Sequence, residues 1–441
     1  MLYERWREIA GERRKEIALR DFASGRHWTF GELFAAGESW KGAPALAAPK
    51  LPGEGWSGPV SVNGIIFPKG HSPEFILDLL AAWRENKIVC PLEPGQGGAS
   101  VRVPHCGISS LAPPPVHFKS TSATVGAARL VAFTAEQLMA DADNIVATMG
   151  LRADWPNLGV ISMAHSYGFS NLVLPLLLHG IPLILAPAPL PEIIRGAVEN
   201  EPAITLAAVP VMWRAWHDAN AITPAVRLAI SAGAPLSVDL EQAIFKSRGL
   251  KIHNFYGASE CGGIAYDASE TPRPDAALAG RPLHKVTVSL NEHGCLVVRG
   301  RAVAETYWPG KLDSLGNGIF QSNDLAELKD GAVYLRGRLG DQINVAGRKV
   351  SPEIVEGALL AHPRVRECLV FGVPSRDEER TEIIVAVIVA VAAEGELKHF
   401  LLQTLPAWQV PREWRFVESL LPNPRGKVSR AEWRRRFLVE R

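Results

Sequence analysis

The sequence predicts an α/β protein in two parts, and three observations carry that reading. Along residues 60–280, short β-branched or aliphatic runs alternate with stretches of helical apolar spacing, the pattern of α/β subdomains with a largely parallel sheet. From about 280 to 335 the texture changes to short alternating runs broken by Gly and Asn, which predicts a small antiparallel barrel or meander closing the large domain. Beyond Asp341 the pattern restarts as a compact α+β unit of about 100 residues, a normal size for a separate small domain. We therefore expect a large domain over residues 1–339, with its barrel-like part at about 280–339, and a small C-terminal domain over 340–441.

Taken in order, Gly64-Ile65-Ile66-Phe67 and Lys87-Ile88-Val89-Cys90 read as strands on either side of a helix over 73–85, where Phe75, Leu79, Leu80 and Trp83 share one face. Further strands are expected at 159–162, 182–185 and 205–209, and a helix at 134–149. The apolar stretch 172–190 carries His179, Gly180 and several prolines, so it reads as a buried helix, a turn and a buried strand. In the β-rich part, 286–291 and 294–300 alternate as strands. The last unit should hold a hairpin around Gly347, a helix over 352–361, and strands at 368–372 and 383–391. Residues 43–59 and 95–115 are rich in Pro, Gly and Ala and are expected to be loops, and the part before residue 60 reads as abbreviated.

Composition excludes several classes of function. In a chain of 441 residues, 47% hydrophobic residues can supply a sizeable core, while a net charge of +1 gives no global field for nucleic acid or an anionic membrane. Small molecules are the expected partners. Cys90, Cys106, Cys261, Cys295 and Cys368 are too scattered for a disulfide framework or a zinc site and suit a reducing, cytoplasmic setting. The charged segment 1–16 lacks the apolar stretch of a secretory signal, and 383–393 falls short of the roughly 20 residues needed to span a bilayer. No transmembrane segment is expected.

The chemistry is concentrated in a few segments. Gly337-Arg338-Leu339-Gly340-Asp341-Gln342-Ile343-Asn344-Val345-Ala346-Gly347-Arg348-Lys349-Val350, followed later by Leu421-Pro422-Asn423-Pro424-Arg425-Gly426-Lys427-Val428-Ser429-Arg430, resembles the junction and C-terminal lysine loop of the adenylate-forming enzymes. That superfamily comprises acyl- and aryl-CoA synthetases, peptide-synthetase adenylation domains and firefly luciferase. Its members activate a carboxylate with ATP as an acyl-adenylate and usually pass the acyl group to a thiol. Such a reaction demands neutralised phosphate charge, in-line positioning and a pyrophosphate leaving group held by a metal and amide donors.

Other segments fall in the same order as the superfamily's elements. Lys119-Ser120-Thr121-Ser122-Ala123-Thr124-Val125-Gly126-Ala127-Ala128-Arg129 resembles the phosphate loop, which implies that Thr121, Ser122, Thr124, Gly126 and Arg129 hold the β- and γ-phosphates. Ala123 and Val125 depart from the usual Gly and Thr, and Arg129 stands where Lys is usual. Met163-Ala164-His165-Ser166-Tyr167-Gly168-Phe169 resembles the acyl-pocket segment, which implies a pocket role for His165 beside the reacting carboxylate. The likeness further implies that Gly233, Ala234 and Pro235 pack on adenine, with Asn254, Phe255, Tyr256 and Gly257 beside it. Ser259 would bond the α-phosphate and Glu260 would hold Mg²⁺, a hard cation suited to carboxylate oxygen.

The resemblance implies that Asp324 accepts the ribose hydroxyls with help from Arg338, that Gly340 is a hinge for a mobile C-terminal domain, and that Gly347, Arg348 and Lys349 face the incoming thiol. Lys427 is the implied catalytic residue, its ammonium reaching carboxylate and α-phosphate together. Arg425, Arg430, Arg434, Arg435 and Arg436 read as a solvated basic helix face, with docking of an acidic acyl carrier protein as the alternative. Implied co-substrates are ATP with Mg²⁺ and the thiol of CoA or of a phosphopantetheine arm. The Leu- and Pro-rich stretch 174–185 beside His165 favours fatty or aromatic acids. A competing reading is a non-catalytic nucleotide- or acyl-binding protein with a degenerate phosphate loop.

Overall fold

The computed structural model describes residues 1–41, 64–93, 113–121, 129–308, 310, 312–375, 382–420 and 428–441. The described chain divides into two units, one reaching from Met1 to Val288 and including Val297–Phe320, the other holding Ser289–Leu296 and everything from Gln321 onward.

The first unit is built on a sheet whose centre is parallel. Val226–Ser231 lies between Ile204–Ala208 and Ile252–Ala258, and Asn157–Gly159 joins Ile204–Ala208 to Leu183–Leu185. Ile204–Ala208 is buried along its whole length, as expected of a strand covered on both faces. Beyond Leu183–Leu185 the sheet gains Ile17–Asp21 in parallel and then Arg26–Thr29 in a hairpin. This N-terminal hairpin was not legible, because Arg20, Asp21, Arg26 and His27 mask the β pattern. A second sheet runs in the order Thr306–Trp308, Leu130–Phe133, His117–Ser120, Ile88–Val89, Ile65–Ile66.

Local chemistry sets the helix ends. Pro73–Arg84 begins with Pro at its first position, where no amide donor is needed, and buries Phe75, Leu79, Leu80 and Trp83. Ala135–Met149 starts at a capping box between Thr134 and Gln137 and stops at Gly150 in left-handed conformation. The expected helix, turn and strand over 172–190 is present as a wide helical turn Phe169–Val173, the helix Leu174–His179, Gly180 at φ +64° and the strand Leu183–Leu185.

One strand is shifted from the expected place. The strand is Asn157–Gly159 instead of 159–162, because Val160 onward turns out of the sheet and the Ser162 carbonyl accepts the His165 N–H. The loops expected at 43–59 and 95–115 fall mainly outside the described residues.

In the second unit, Ile319–Lys329 and Ala332–Arg338 form a long antiparallel hairpin, and Ala326 N–H donates to the Gly294 carbonyl at 3.0 Å. Antiparallel strands are thus present in the β-rich part, but from Gln321 onward they group with the second unit instead of closing the first as expected. After a tight turn at Leu339–Asp341 come the hairpin Ile343–Val345 with Arg348–Val350 and the helix Pro352–Leu360. A three-stranded sheet follows, with Glu382–Ala390 central between Val365–Pro374 and Glu413–Phe416. The central strand reads as continuously apolar because both faces are covered. Ile384, Ala386 and Ile388 pack with Val355, Leu359, Leu397 and Leu401, whereas Val385, Val387 and Val389 pack with Phe371 and Phe437.

Candidate active site

The segment read as a phosphate loop closes a β-hairpin. His117–Ser120 and Leu130–Phe133 pair antiparallel, and the ladder continues one step further: Thr121 N–H donates to the Arg129 carbonyl at 2.8 Å, and Arg129 N–H to Thr121 Oγ1 at 3.2 Å. Ser122, Thr124 and Gly126 lie outside the described residues. Under the stem, the buried Lys119 ammonium donates to Ser170 Oγ at 3.2 Å, lies 3.5 Å from Asp141 Oδ2 and sits over the Phe133 ring. Asp141 also accepts the Ser170 hydroxyl at 2.6 Å and the Gly263 N–H at 3.2 Å. Gly262 is obligatory there, since φ is +68° and a Cβ would collide with the Asp141 carboxylate. Lys119 and Asp141 therefore couple the phosphate-loop stem to the Ser259–Glu260 turn.

That turn joins Ile252–Ala258 to Gly262–Tyr266 and carries Ser259 and Glu260, both half-buried. The Glu260 carbonyl accepts the Ala304 N–H at 2.9 Å, and its Oε1 accepts the Tyr307 hydroxyl at 3.0 Å. Arg129 approaches the Tyr307 ring from the phosphate-loop side, its guanidinium carbon 5.8 Å from the centroid. Burial, and then the Glu260 charge, push the Tyr307 phenol above its ordinary range, so it remains a donor at neutral pH. Tyr307 was missed in the sequence because a tyrosine in a strand signals only β propensity.

A hard divalent cation fits this donor set. Among the described residues no group of three or more His, Cys, Asp and Glu could hold an ion, so a metal at Glu260 would take most of its oxygens from phosphate and water, the usual manner for Mg²⁺. The Tyr307 hydroxyl would orient the carboxylate for that role. We expect Tyr307→Phe to lower Mg²⁺-dependent ATP affinity roughly tenfold. Calorimetric titration of ATP at several Mg²⁺ concentrations checks it, and an unchanged Mg²⁺ dependence would reduce the bond to a structural one.

The residues assigned to adenine sit at carboxyl ends of parallel strands, the place where open α/β sheets bind ligands. Ser231, at the end of its strand, is in register with Asn254, and the chain then turns outward through exposed Gly233, Ala234 and Pro235, with Gly233 at φ +84°. Asn254 Nδ2 donates to the Leu278 carbonyl at 3.2 Å. Tyr256 and Gly257 are accessible, and a Cβ at Gly257 would stand 2.6 Å from the Gly262 carbonyl. Phe255 corrects the expectation: it points inward against Tyr167, 5.9 Å between centroids, because successive side chains of a strand face opposite ways. Tyr256 is the aromatic on the accessible side.

His165 precedes the helical turn Ser166–Gly168 rather than ending a strand. Its Nε2 lies 3.1 Å from Glu93 Oε1, the same oxygen that accepts the Ser162 hydroxyl at 2.7 Å. Glu93 thus fixes the imidazole, a partnership across distant segments that no sequence pattern announces. Beside it, the Tyr167 hydroxyl donates to the Ala208 and Ile230 carbonyls at 3.4 Å, spanning two strand ends.

In the second unit Asp324 and Arg338 are cross-strand partners, and Arg338 Nε donates to Asp324 Oδ1 at 2.8 Å. Asp324 N–H donates to Ser322 Oγ, which tightens the turn before the carboxylate. Gly340 is exposed in the Leu339–Asp341 turn, with open space where a Cβ would stand. Gly347, at φ +81°, tips the exposed hairpin with Arg348 and Lys349; its N–H donates to Asn344 Oδ1, and Arg348 lies over Trp408. Lys427 and Arg425 lie outside the described residues. Of the basic residues expected on a solvated helix face, Arg434, Arg435 and Arg436 are exposed, Arg434 donating to the Gly372 carbonyl and Arg436 pairing with Glu432, whereas Arg430 is drawn in among three carboxylates.

Comparison with known proteins bears on the family and the fold. The AMP-binding enzyme profile matches residues 118–308, and that of the AMP-binding enzyme C-terminal domain matches 354–427. A feruloyl-CoA synthase from Amycolatopsis sp is 30% identical over 345 residues, covering 72% of this chain and 69% of that one. The 2,3-dihydroxybenzoate-AMP ligase of Bacillus subtilis (strain 168) is 28% identical over 297 residues, 62% of this chain and 55% of its own length. In fold, the chain is similar to ATP-bound MatB from Rhodopseudomonas palustris, with a TM-score of 0.82 at 19% identity and 99% of both chains covered. It is also similar to o-succinylbenzoate CoA synthetase (MenE) from Bacillus subtilis, with a TM-score of 0.80 at 18% identity and 97% of both chains covered. The two profiles in order, and a relative matched across most of both lengths, show that the chain belongs to the AMP-binding enzymes, the AMP-forming acid–thiol ligases.

Proposed function

We propose that this protein couples an apolar fatty or aromatic acid to the thiol of CoA in two steps. The carboxylate oxygen attacks the α-phosphorus of ATP and expels pyrophosphate; the thiol sulfur then attacks the acyl carbonyl and expels AMP. One observation carries the reading: the phosphate-loop stem, Tyr307 and the Glu260 turn, from three separate segments, are joined by direct contacts. The aromatic preference is supported by the buried apolar helix Leu174–His179 following His165, and by the match to a feruloyl-CoA synthase.

Each residue has a task in this reading. Thr121 and Arg129, with Ser122, Thr124 and Gly126, neutralise the β- and γ-phosphates, and Ser259 bonds the α-phosphate. Glu260 holds Mg²⁺, which when bound screens the phosphate charge against the incoming carboxylate. Gly233, Ala234, Pro235, Asn254, Tyr256 and Gly257 receive adenine, while Asp324, oriented by Arg338, accepts the ribose hydroxyls. His165, held by Glu93, borders the acyl group. Lys427 bridges carboxylate and α-phosphate. Residues 340–441 act as a lid turning at Gly340, and Gly347, Arg348 and Lys349 receive the pantetheine arm.

An acyl carrier protein is the alternative acceptor. We place the protein in the cytoplasm: the described cysteines Cys90, Cys261, Cys295 and Cys368 form no disulfide, and no described helix is long and apolar enough to cross a membrane. The non-catalytic alternative rests only on the altered phosphate loop, whereas Glu260, Asp324 and Arg338 keep the chemistry a ligase requires.

A screen for pyrophosphate release with ATP, Mg²⁺ and panels of aromatic, fatty and amino acids, each with and without CoA, tests the proposal. Release with an aromatic or fatty acid, raised by CoA, is the expected result. Silence across the panel with ATP still bound would favour the non-catalytic reading.

A further inference from the structure

Arg430 opens the helix Arg430–Glu440, three residues beyond Lys427, and its guanidinium is fully engaged. Nη1 donates to Asp341 Oδ2 at 2.7 Å, and Nη2 donates to Glu356 Oε1 at 2.9 Å and Oε2 at 3.0 Å and lies 3.1 Å from Glu353 Oε1. Nε donates to the Val370 carbonyl at 2.8 Å. One side chain therefore ties the start of the last helix to the Leu339–Asp341 turn, the Pro352–Leu360 helix and the central sheet of this part. Planar multidentate recognition of this kind is a property of Arg that Lys lacks.

On the other side of the turn, Arg338 is held by strand pairing and by its bond to Asp324. Between the two clamped residues, Arg338 and Asp341, stand only Leu339 and Gly340, and Gly340 is exposed, with no atom of the described residues within 4 Å of where a Cβ would stand. The contact that bridges this gap is poor. Gly337, at φ +104°, faces Ser351 and Glu353, where a Cβ would stand 2.5 Å from Glu353 Oε2, and that oxygen is buried with no hydrogen-bond partner among the described residues. A buried carboxylate oxygen left unsatisfied favours separation of the two surfaces.

We propose that Arg430 is a positioning residue which welds Asp341 and the root of the Lys427 loop into one body, confining rotation of that body against the Asp324–Arg338 strands to Leu339 and Gly340. The proposal rests on the reading of residues 340–441 as a lid. Without the clamp, Asp341 joins the pivot, and the start of the last helix is no longer tied to the turn.

The test uses the full-length protein as Arg430→Gln and Arg430→Lys, with Asp341→Asn, which breaks a single arm of the clamp, as the variant least exposed to misfolding. Amide hydrogen exchange across residues 338–345 should rise roughly tenfold in all three, while the Val365–Pro374 and Glu382–Ala390 strands stay protected. Acid-dependent pyrophosphate release should fall in parallel, with ATP affinity kept. Unchanged exchange at 338–345 overturns the clamp, and exchange rising equally in the central strands reduces Arg430 to a folding residue. If the wild type activates no acid, the lid reading fails, whereas the exchange measurement still decides the clamp.

Discussion

Glu241→Ala is expected to destabilise the first unit by about 3–5 kcal/mol. The Glu241 carboxylate is fully buried between two cations: it accepts from the Lys251 ammonium, from Arg273 Nε at 2.9 Å and from the Arg273 N–H at 3.0 Å. Lys251 has a second carboxylate in Asp267 at 2.7 Å, but among the described residues Arg273 has no other anion, only the carbonyls of Leu236, Ala276 and Leu278. Truncation leaves a fully buried guanidinium without its counter-charge. The melting temperature should fall on the order of 10 °C by calorimetry. Glu241→Gln, which keeps an acceptor oxygen, should cost less; equal stability of the alanine variant and wild type would show that the network does not hold the fold.

The same network reaches a surface turn. Arg273 grips the Leu236 carbonyl, just after Gly233-Ala234-Pro235, and shares the Leu278 carbonyl with Asn254. Both segments assigned to adenine are thus braced from below by one buried guanidinium. Weakened ATP binding should accompany the loss of stability.

Lys427→Ala is expected to slow acyl-adenylate formation by roughly 10²–10³-fold, the range found when one charge-stabilising donor is removed from a transition state. An anionic carboxylate must approach an anionic phosphate, and negative charge rises on oxygens of both reactants; an ammonium on a flexible stem can meet both. Lys427→Arg should rescue little, because the planar fork has a different reach and geometry. Single-turnover formation of the adenylate measures the effect, and ATP affinity should change little. A variant matching wild type would remove Lys427 from the mechanism.

Much of the fold was legible because it is written in local pattern. The Ile383 run read as a core strand because both its faces are buried, and the helix Ala135–Met149 announced itself by Thr134, Gln137 and Gly150. The residues assigned to the nucleotide in the proposed reading come from short motifs of fixed order. What was not legible are the partners that orient them. Glu93 meets His165, Tyr307 meets Glu260, and Lys119 meets Asp141 only after folding, and none of these residues carries a spacing that distinguishes it from ordinary strand or loop chemistry. Arg430 was misread for the same reason. In sequence it looks like one more member of the solvated face that Arg434, Arg435 and Arg436 do form, and only folding brings Asp341, Glu353 and Glu356 to it from other elements.

The most direct measurement of the central claim is exchange of labelled pyrophosphate into ATP, with Mg²⁺ and an aromatic or fatty acid but no thiol. Adenylate formation is reversible while the adenylate stays bound, so label should enter ATP only when the acid is present and should fail to do so in Lys427→Ala. Absence of acid-dependent exchange in a protein that still binds ATP, or consumption of ATP to ADP and phosphate, would contradict it.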